Sequence, residues 1–231
     1  MYEKFLTKYI TTIRIEILAS SFGNLTASVC PITTCIGEET PYRTTMVTYL
    51  YQFDYNTNDL TGYAPAVPFG TSTINYTPYP YIGTGALSLA SPSNFQYVQI
   101  PYVDLRQSFT IEAWIYPNTP AWPEHGLFSQ CDWNFTCIAI TIRNNRVIFT
   151  LDSMNSNSIS LMSSTLLTQS DWAHIAVVYD STKSQLLIYI SGRLDAFSNS
   201  PVSPYKGSLL GSITTIGKSQ TYAYNTSYFI G

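Results

Sequence analysis

Short apolar stretches that alternate with polar residues recur along the chain from about residue 44 onwards. The clearest covers residues 108–116, where successive residues alternate between two faces: Phe109, Ile111, Ala113 and Ile115 on one, and Thr110, Glu112, Trp114 and Tyr116 on the other. This period of two is typical of a β-strand that is buried on one side. Turn residues separate the stretches, and no helix longer than a turn or two is indicated there. The pattern therefore predicts an all-β, antiparallel fold of two stacked sheets.

Two hairpins are predicted in the second half of the chain. The first joins residues 138–142 to residues 147–151 through a turn that contains two asparagines, which tolerate the positive φ that tight turns require. The second joins residues 173–179 to residues 186–190 through a longer polar loop. Both support a sheet built from sequential antiparallel strands.

Residues 1–43 depart from this pattern, and we predict that they form an N-terminal extension or linker before a sandwich domain at 44–231. The start of the extension carries apolar residues at helical spacing, whereas Ile13, Ile15 and Ile17 alternate as they would in a strand. The periodicity therefore leaves helix and strand open for this segment. The rest of the extension is rich in Ser, Thr, Pro and Gly, which is typical of an irregular linker.

The composition supports a β protein and makes two classes of partner unexpected. Charged residues make up 11 % of the 231 residues, and tyrosine alone contributes 19. Tyrosine, threonine and β-branched residues suit the pleated, half-buried surface of a sheet. The net charge of −3 provides no basic surface for nucleic acid or an anionic membrane. No apolar stretch reaches the roughly 18 residues of a membrane span, so we expect no membrane insertion by this segment.

Four cysteines form two close pairs, Cys30 with Cys35 and Cys131 with Cys137. Neither pair has the spacing of a zinc site, and only two histidines are present, so a zinc site is not expected. Local pairing requires the least rearrangement of the chain, so we predict disulfides within each pair, with four free thiols as the alternative. Disulfides form in oxidising compartments. The predicted location is therefore extracellular, as a secreted protein or the ectodomain of a surface protein.

Several segments, in the same order along the chain, resemble the laminin-G-like jelly roll of the concanavalin A-like lectin/glucanase superfamily. The most specific, at residues 108–117, is Ser-Phe-Thr-Ile-Glu-Ala-Trp-Ile-Tyr-Pro, which is close to the family's FTIEAWVKP. Residues 171–180 and 187–192 resemble its WxHVAVTYD and LYVNG pair, and residues 212–217 resemble its LTIG strand. Two earlier segments look like its opening strands, at residues 51–62 and 85–100. The resemblance implies a jelly-roll sandwich over about residues 46–231.

The resemblance also implies a closing strand that this sequence does not contain. Family members continue after a Phe-x-Gly with a strand similar to GxIDEVRIY, whereas this sequence stops at residues 228–231. The last strand of the jelly roll pairs beside the first, so its loss would leave a sheet edge with unpaired N–H and C=O groups. We therefore expect the chain to be a C-terminally truncated fragment.

Catalysis is not expected from these residues, and the protein is predicted not to be an enzyme. Glucanases of the superfamily carry paired carboxylates at alternate positions of one strand, because retaining hydrolysis needs two carboxyl groups about 5–5.5 Å apart. Glu112 has Thr110 and Trp114 at those positions instead. His174 shares a strand face with Trp172 and is interpreted as a structural residue.

No cofactor is predicted, although calcium is left open. Asp54, Asn56 and Asn58 place oxygen-bearing side chains at alternate positions, as the start of an EF-hand does. The sixth position is Asp59 instead of glycine and the twelfth is Pro65 instead of glutamate, so an EF-hand is ruled out. Asx turns explain the same residues. Some laminin-G-like domains bind calcium at the sandwich rim, so the resemblance keeps this ion in consideration without assigning ligands.

The ligand-binding residues predicted from the sequence lie within residues 117–134. They are Trp122, His125, Asp132 and Trp133. Aromatic rings stack on the C–H faces of sugars, Asp132 can accept hydrogen bonds from hydroxyl groups, and loops on a rigid scaffold are where binding sites usually lie. The alternative is that both tryptophans pack the loop onto the sandwich.

The predicted function is a non-catalytic extracellular recognition module that binds a glycan or a protein partner. Two alternatives remain: a structural or adhesion spacer without a small ligand, and the appendage of a carbohydrate-active enzyme.

Overall fold

The computed structural model describes residues 9–17, 47–62, 64–70, 74–89, 95–117, 124–131, 137–151, 158–199, 212–220 and 226–228. These residues contain strands and no helix. In chain order the strands are β1 (Tyr9–Ile17), β2 (Val47–Tyr51), β3 (Val67–Phe69), β4 (Asn75–Thr77), β5 (Ala86–Ser88), β6 (Tyr97–Ile100), β7 (Phe109–Tyr116), β8 (His125–Cys131), β9 (Cys137–Arg143), β10 (Arg146–Leu151), β11 (Ile159–Met162), β12 (Ala173–Asp180), β13 (Gln185–Ile190), β14 (Arg193–Phe197), β15 (Ile213–Ile216), β16 (Lys218–Gln220) and β17 (Thr226–Tyr228).

Two antiparallel sheets pack face to face and enclose the core. The larger sheet has the strand order β14-β13-β12-β7-β1-β5-β4, and β2 joins it by pairing with β1. The smaller sheet has the order β11-β10-β9-β8-β15-β6-β3. A short ribbon of β16 and β17 lies against β8. The predicted fold class, an all-β antiparallel sandwich of two sheets, is confirmed.

The core follows from the alternation along each strand. On β7 the buried residues are Phe109, Ile111, Ala113 and Ile115, as the pattern predicts. Phe149 of β10 faces them from the smaller sheet, and its ring meets that of Phe109 edge-on at 6.1 Å between centroids. Burial of these large apolar side chains is the main force that holds the two sheets together.

Both predicted hairpins are present. The strands β9 and β10 are joined by Asn144 and Asn145, whose φ angles are 51° and 61°. Both asparagines therefore occupy the left-handed region that a tight two-residue hairpin turn requires. The strands β12 and β13 are joined by residues 181–184.

β1 lies inside the larger sheet and has the strand conformation that the alternation of its isoleucines suggested. Its backbone pairs with β7 along nearly its whole length, with β2 over residues 13–17, and with β5 at Tyr9 and Ile10. A strand that began in the predicted extension therefore contributes to the sandwich. The domain boundary at residue 44 stays a prediction, because residues 18–46 lie outside the described residues.

The first strand that resembles the jelly-roll family has a neighbouring strand in the sheet. That strand is β2, and β1 pairs with it in antiparallel register from Ile13 opposite Tyr51 to Ile17 opposite Val47. The unpaired edge that we expected beside it is therefore not found there. A β-branched, alternating segment from the start of the chain provides the backbone hydrogen bonds instead.

Candidate binding site

One of the four predicted ligand-binding residues lies in the described part of the chain. His125 begins β8 and is only 9 % exposed, so little of its surface is available to a ligand in solution. Trp122, Asp132 and Trp133 lie outside the described residues. The site predicted within residues 117–134 therefore stays a prediction.

The structure joins Cys131 and Cys137 in a disulfide across the ends of β8 and β9. The two residues are directly opposite each other in the strand register, with their Cα atoms 4.2 Å apart. The bond closes the connection between β8 and β9, which contains Asp132 and Trp133. Cys30 and Cys35 lie outside the described residues, so their pairing stays a prediction.

A group of aromatic side chains comes together on the outer face of the larger sheet, the side away from the core. We call it the aromatic cluster, and its members are Tyr81, Trp114, Tyr116, Trp172 and His174. Trp114 and Tyr116 face outward because the residues between and before them on β7 point into the core. His174 is on the neighbouring strand β12, directly opposite Trp114 in the register. Strand pairing thus places residues from distant parts of the sequence side by side.

The rings of the cluster form a platform, a stacked pair with tilted rings beside it, that is partly exposed to solvent. Tyr81 stacks on Trp114 with 3.7 Å between ring centroids and 18° between planes. Trp172 lies 6.3 Å from Tyr81 with its plane tilted by 55°, and 5.4 Å from Tyr116. The His174 ring is 5.2 Å from that of Trp114. Tyr81 is 46 % exposed, so the stack presents an aromatic surface to the outside.

A carboxylate lies directly beside the aromatic rings. Glu112 is two residues before Trp114 on β7 and shares its outward face, and its Oε2 atom is 3.5 Å from Nε2 of His174. When His174 is protonated, the two form an ion pair. The strand register also places Arg14 of β1 opposite Glu112. The site therefore combines aromatic surface with hydrogen-bonding groups, an arrangement common in ligand sites.

A carboxylate from a separate turn binds the backbone three and four residues after Tyr81. The Oδ1 atom of Asp54 accepts hydrogen bonds from the backbone N–H groups of Thr84, at 2.7 Å, and Gly85, at 2.9 Å. Gly83 has a φ of 86°, and a Cβ atom there would lie 2.5 Å from Asp54 Oδ1. Glycine is therefore strongly favoured at this position. These contacts fix the segment that follows Tyr81 and so help to present its ring.

A family model described as the Concanavalin A-like lectin/glucanases superfamily, and built on laminin G domains, matches residues 92–231. The chain belongs to this superfamily. The match covers more than half of the chain and includes β7 and β12, which carry most of the aromatic cluster. It confirms the resemblance found in the sequence.

Solved structures of similar fold include two binding domains. The first is domain 4 of AbnA, an extracellular arabinanase of Geobacillus stearothermophilus, in complex with arabinotriose; it has a TM-score of 0.57 and 18 % identity, over 77 % of this chain and 85 % of that one. The second is the receptor-binding domain of botulinum neurotoxin type G, with a TM-score of 0.51 and 20 % identity, over 68 % of this chain and 40 % of that one. At these identities the likeness concerns the fold. No curated protein matches the chain.

The side-chain oxygen atoms of the turn that suggested calcium bind backbone N–H groups, some of them in other segments. Asp59 Oδ1 accepts the N–H groups of Leu50, at 2.8 Å, and Thr61, at 3.2 Å. Asn56 Oδ1 accepts the N–H of Asn58 at 2.8 Å, which is an Asx turn. Within the described residues, no group of three or more His, Cys, Asp or Glu side chains is arranged to hold a metal ion. They also contain no helix long and apolar enough to cross a membrane.

The sequence contained a signal for most of the aromatic cluster, but not for Tyr81. The outward face of β7 was evident from the alternation, and His174 was predicted to share a face with Trp172. What the alternation cannot show is that β7 and β12 are neighbours, which places Trp114 beside His174. Tyr81 lies in a segment without regular period, and the long-range contact of Asp54 with Thr84, just after it, is not visible in the sequence.

Proposed function

We propose that this chain is a non-catalytic recognition module that binds a glycan through the aromatic cluster. The observation that supports this most is the stacked pair of Tyr81 and Trp114, with Trp172 beside it, on the open face of a sheet. Aromatic rings present an apolar surface to the C–H faces of a sugar ring. Glu112 can accept hydrogen bonds from hydroxyl groups, and His174 has ring nitrogens that donate or accept them.

The rigidity of the platform favours this function. Trp114 and His174 lie on paired strands whose inward residues are packed in the core, so their backbone positions are fixed before a ligand arrives. A preformed site loses less conformational entropy on binding than a mobile one. The site therefore does not need an ordering step to bind a sugar.

We propose that Glu112 is not a catalytic residue, because of the side chains that surround it. Retaining glycoside hydrolysis requires a second carboxyl group about 5–5.5 Å away. Glu112 lies 3.5 Å from His174, and the flanking residues on the outward face of β7 are Thr110 and Trp114. This arrangement supports binding without bond cleavage. The module could equally be the appendage of a carbohydrate-active enzyme, as the arabinanase domain is part of one.

An extracellular location is part of the proposal. Its support is the Cys131–Cys137 disulfide, since such bonds persist in oxidising compartments. Peptide mapping of the unreduced protein is expected to recover Cys131 joined to Cys137 and Cys30 joined to Cys35. Recovery of crossed pairs or of free thiols would contradict the predicted pairing and remove the support for this location.

The glycan proposal is tested with an immobilised panel of oligosaccharides. Tyr81→Ala and Trp172→Ala are each expected to lower the affinity for the best ligand about tenfold or more, which corresponds to about 1.4 kcal/mol. The matched control is Phe69→Ala, because Phe69 is an exposed aromatic residue (40 %) that stacks on Tyr97 in the other sheet. The Phe69→Ala variant should bind the same ligand with the affinity of the unaltered protein.

A further double variant distinguishes the aromatic cluster from the site predicted within residues 117–134. If a double Trp122→Ala, Trp133→Ala variant loses binding while Tyr81→Ala and Trp172→Ala retain it, the aromatic cluster is not the binding site. If no member of the panel binds the unaltered protein, the glycan proposal itself is wrong.

A protein partner is the second candidate, and the edge of the larger sheet favours it. Leu194 and Phe197 on the edge strand β14 are both about half exposed, and Leu194 is paired in register with Tyr189 of β13. Exposed apolar side chains on a sheet edge are suited to contact another protein. Adhesion of coated beads to cells that survives removal of cell-surface glycans, and that is lost in a Leu194→Ser, Phe197→Ser variant, would favour this function.

A further inference from the structure

The larger sheet depends on its first strand for continuity. β1 pairs with β7 on one side and with β2 and β5 on the other, so it connects the four strands β14 to β7 with the strands β2, β5 and β4. β2 joins the sheet through β1. Without β1, a row of backbone N–H and C=O groups would be exposed on β7 and another on β2, which is unfavourable and promotes association. We call the position between β7 and β2 the β1 slot.

The connection between β1 and β2 is far longer than their arrangement requires. Antiparallel neighbours can be joined by a turn of two residues. Here residues 18–46 separate the two strands, and a chain of that length reaches up to roughly 95 Å when extended. The length of this connection therefore does not confine β1 to the slot of its own chain.

The slot is specific for the sequence of β1. In the register with β7, Ile13, Ile15 and Ile17 lie opposite Ala113, Ile111 and Phe109, which are all buried. A slip by one residue would exchange the two faces of the strand, so the register is strongly specified. A segment that fills the slot must match this register, as β1 does.

We propose that β1 is an exchangeable strand, and that the β1 of one copy of this chain occupies the β1 slot of a second copy. The backbone hydrogen bonds and register contacts are the same within a chain and between chains. Exchange therefore preserves the described strand pairing of β1 and costs mainly the entropy of association, so it becomes more favourable as concentration rises. Reciprocal exchange gives a symmetric dimer, which is independent of the proposed glycan binding.

The exchange is tested with two variants of the full chain, each with one added cysteine beside the four native ones and each with a different tag, produced together in the same cells. Glu16 and Thr110 lie directly opposite each other in the β1–β7 register. Opposite residues of an antiparallel pair have Cα atoms about 4.5–5.5 Å apart, within the range of a disulfide. A mixture of Glu16→Cys and Thr110→Cys therefore forms a disulfide-linked heterodimer above the level of random collision when β1 of one copy lies beside β7 of the other.

Two controls accompany this mixture. The matched control pairs Glu16→Cys with Val178→Cys, because Val178 is opposite Thr110 on β12 and so lies two strand spacings, about 10 Å, from β1. The second control is the double variant with Glu16→Cys and Thr110→Cys in one chain, which is expected to form an intramolecular bond when dilute. Near-ultraviolet circular dichroism verifies that each variant is folded.

Exchange predicts that the Glu16→Cys and Thr110→Cys mixture gives severalfold more disulfide-linked heterodimer than the control mixture, and that the amount rises with protein concentration. An amount of heterodimer equal to the control, while the double variant forms its intramolecular bond, would overturn the proposal. Failure of the double variant to form that bond would overturn it as well, because β1 would then not lie beside β7 in this register.

Discussion

Tyr81 is the most exposed ring of the aromatic cluster, and we expect its position to depend on Asp54, which binds the backbone just after it. Asp54 accepts two backbone N–H groups from the segment just after Tyr81. Asp54→Ala leaves both donors without their acceptor. We expect it to lower the free energy of unfolding by about 1–2 kcal/mol. We also expect weaker binding of the glycan that the unaltered protein prefers, because the Tyr81 ring is no longer held on Trp114.

The control for Asp54→Ala is Asp180→Ala. Asp180 has an equivalent role in the β12–β13 turn, where its Oδ1 accepts the N–H groups of Thr182 and Lys183 at 2.9 and 3.2 Å. Chemical denaturation should show a similar loss of stability in the two variants, whereas titration with the glycan should show weaker binding in Asp54→Ala alone. Equal affinities in both variants would mean that Asp54 does not position the site.

A second residue-scale prediction concerns acid sensitivity. Arg106 donates hydrogen bonds from Nε and Nη2 to the Asp104 carboxylate, at 2.7 and 2.6 Å. This side-chain hydrogen bonding holds the pKa of Asp104 below its usual value of about 3.9, against the opposing effect of burial. A lowered pKa in the folded state stabilises the fold above the usual pKa, and this contribution disappears as the pH falls through the lowered value.

We therefore expect Asp104→Asn to be less stable than the unaltered protein at neutral pH, with the difference shrinking below about pH 4. Urea unfolding at several pH values measures it. Both side chains are about half exposed, so the difference is expected to be small and to decrease with added salt. A difference that stays constant down to the acid limit would show that Asp104 acts by some means other than its charge.

At the scale of elements, one loop connects the edges of the two sheets. Asp195 of β14 accepts the N–H groups of Ser164, at 2.6 Å, and Thr165, at 3.1 Å, in the loop that follows β11. Arg146 of β10 donates from Nη1 to the carbonyl oxygen of Ser163 at 2.8 Å in the same loop. The loop is thus bound by an edge strand of the larger sheet and by a strand of the smaller one.

Asp195→Ala and Arg146→Ala are each expected to destabilise the protein, and their effects should not add. Both act on the same loop, so we expect an interaction energy of about 0.5–3 kcal/mol in a double-mutant cycle measured by urea unfolding. Asp195→Ala combined with Glu124→Ala is the control, because Glu124 pairs with Arg143 within the smaller sheet. That pair should be additive, and additivity of the Asp195–Arg146 pair would show that the loop does not couple the two sheets.

Strands that are buried on one face could be predicted from the sequence, whereas edge strands could not. β7 has strictly alternating burial, and its inward residues were correctly predicted. β3 is exposed at all three positions and β11 alternates only between exposed and partly buried, so neither has a strong apolar period. The period of β1 was ambiguous, and its strand conformation is determined by pairing with β7 and β2, which only the folded chain shows.

The aromatic cluster was missed for the same physical reason. Its members are contributed by three separate segments of the chain, and their proximity is set by strand order and by the contact of Asp54 with Thr84 and Gly85. Sequence reasoning instead favoured the one segment in which aromatic residues are close together along the chain. Local density of aromatic residues is visible in a sequence, whereas their assembly across a sheet is not.

At the scale of the whole molecule, the aromatic cluster and the core lie on opposite faces of β7, so binding and stability should respond to different substitutions. Phe149 of β10 is completely buried and contacts Phe109 across the two sheets. Phe149→Ala is expected to lower the free energy of unfolding by about 3–5 kcal/mol, because it leaves a cavity between the sheets, and Phe149→Leu by less.

Urea unfolding monitored by tryptophan fluorescence measures this, with a lower midpoint and an unchanged m-value expected for Phe149→Ala. Trp114→Ala provides the contrast, since Trp114 is on the outward face of the same strand as Phe109. Trp114→Ala should weaken glycan binding strongly but lower the free energy of unfolding by much less than Phe149→Ala does. Any folded fraction of Phe149→Ala should bind the glycan with unaltered affinity. If Trp114→Ala instead unfolds the protein as readily as Phe149→Ala does, the cluster is a structural part of the sandwich and the platform is not a separate functional surface.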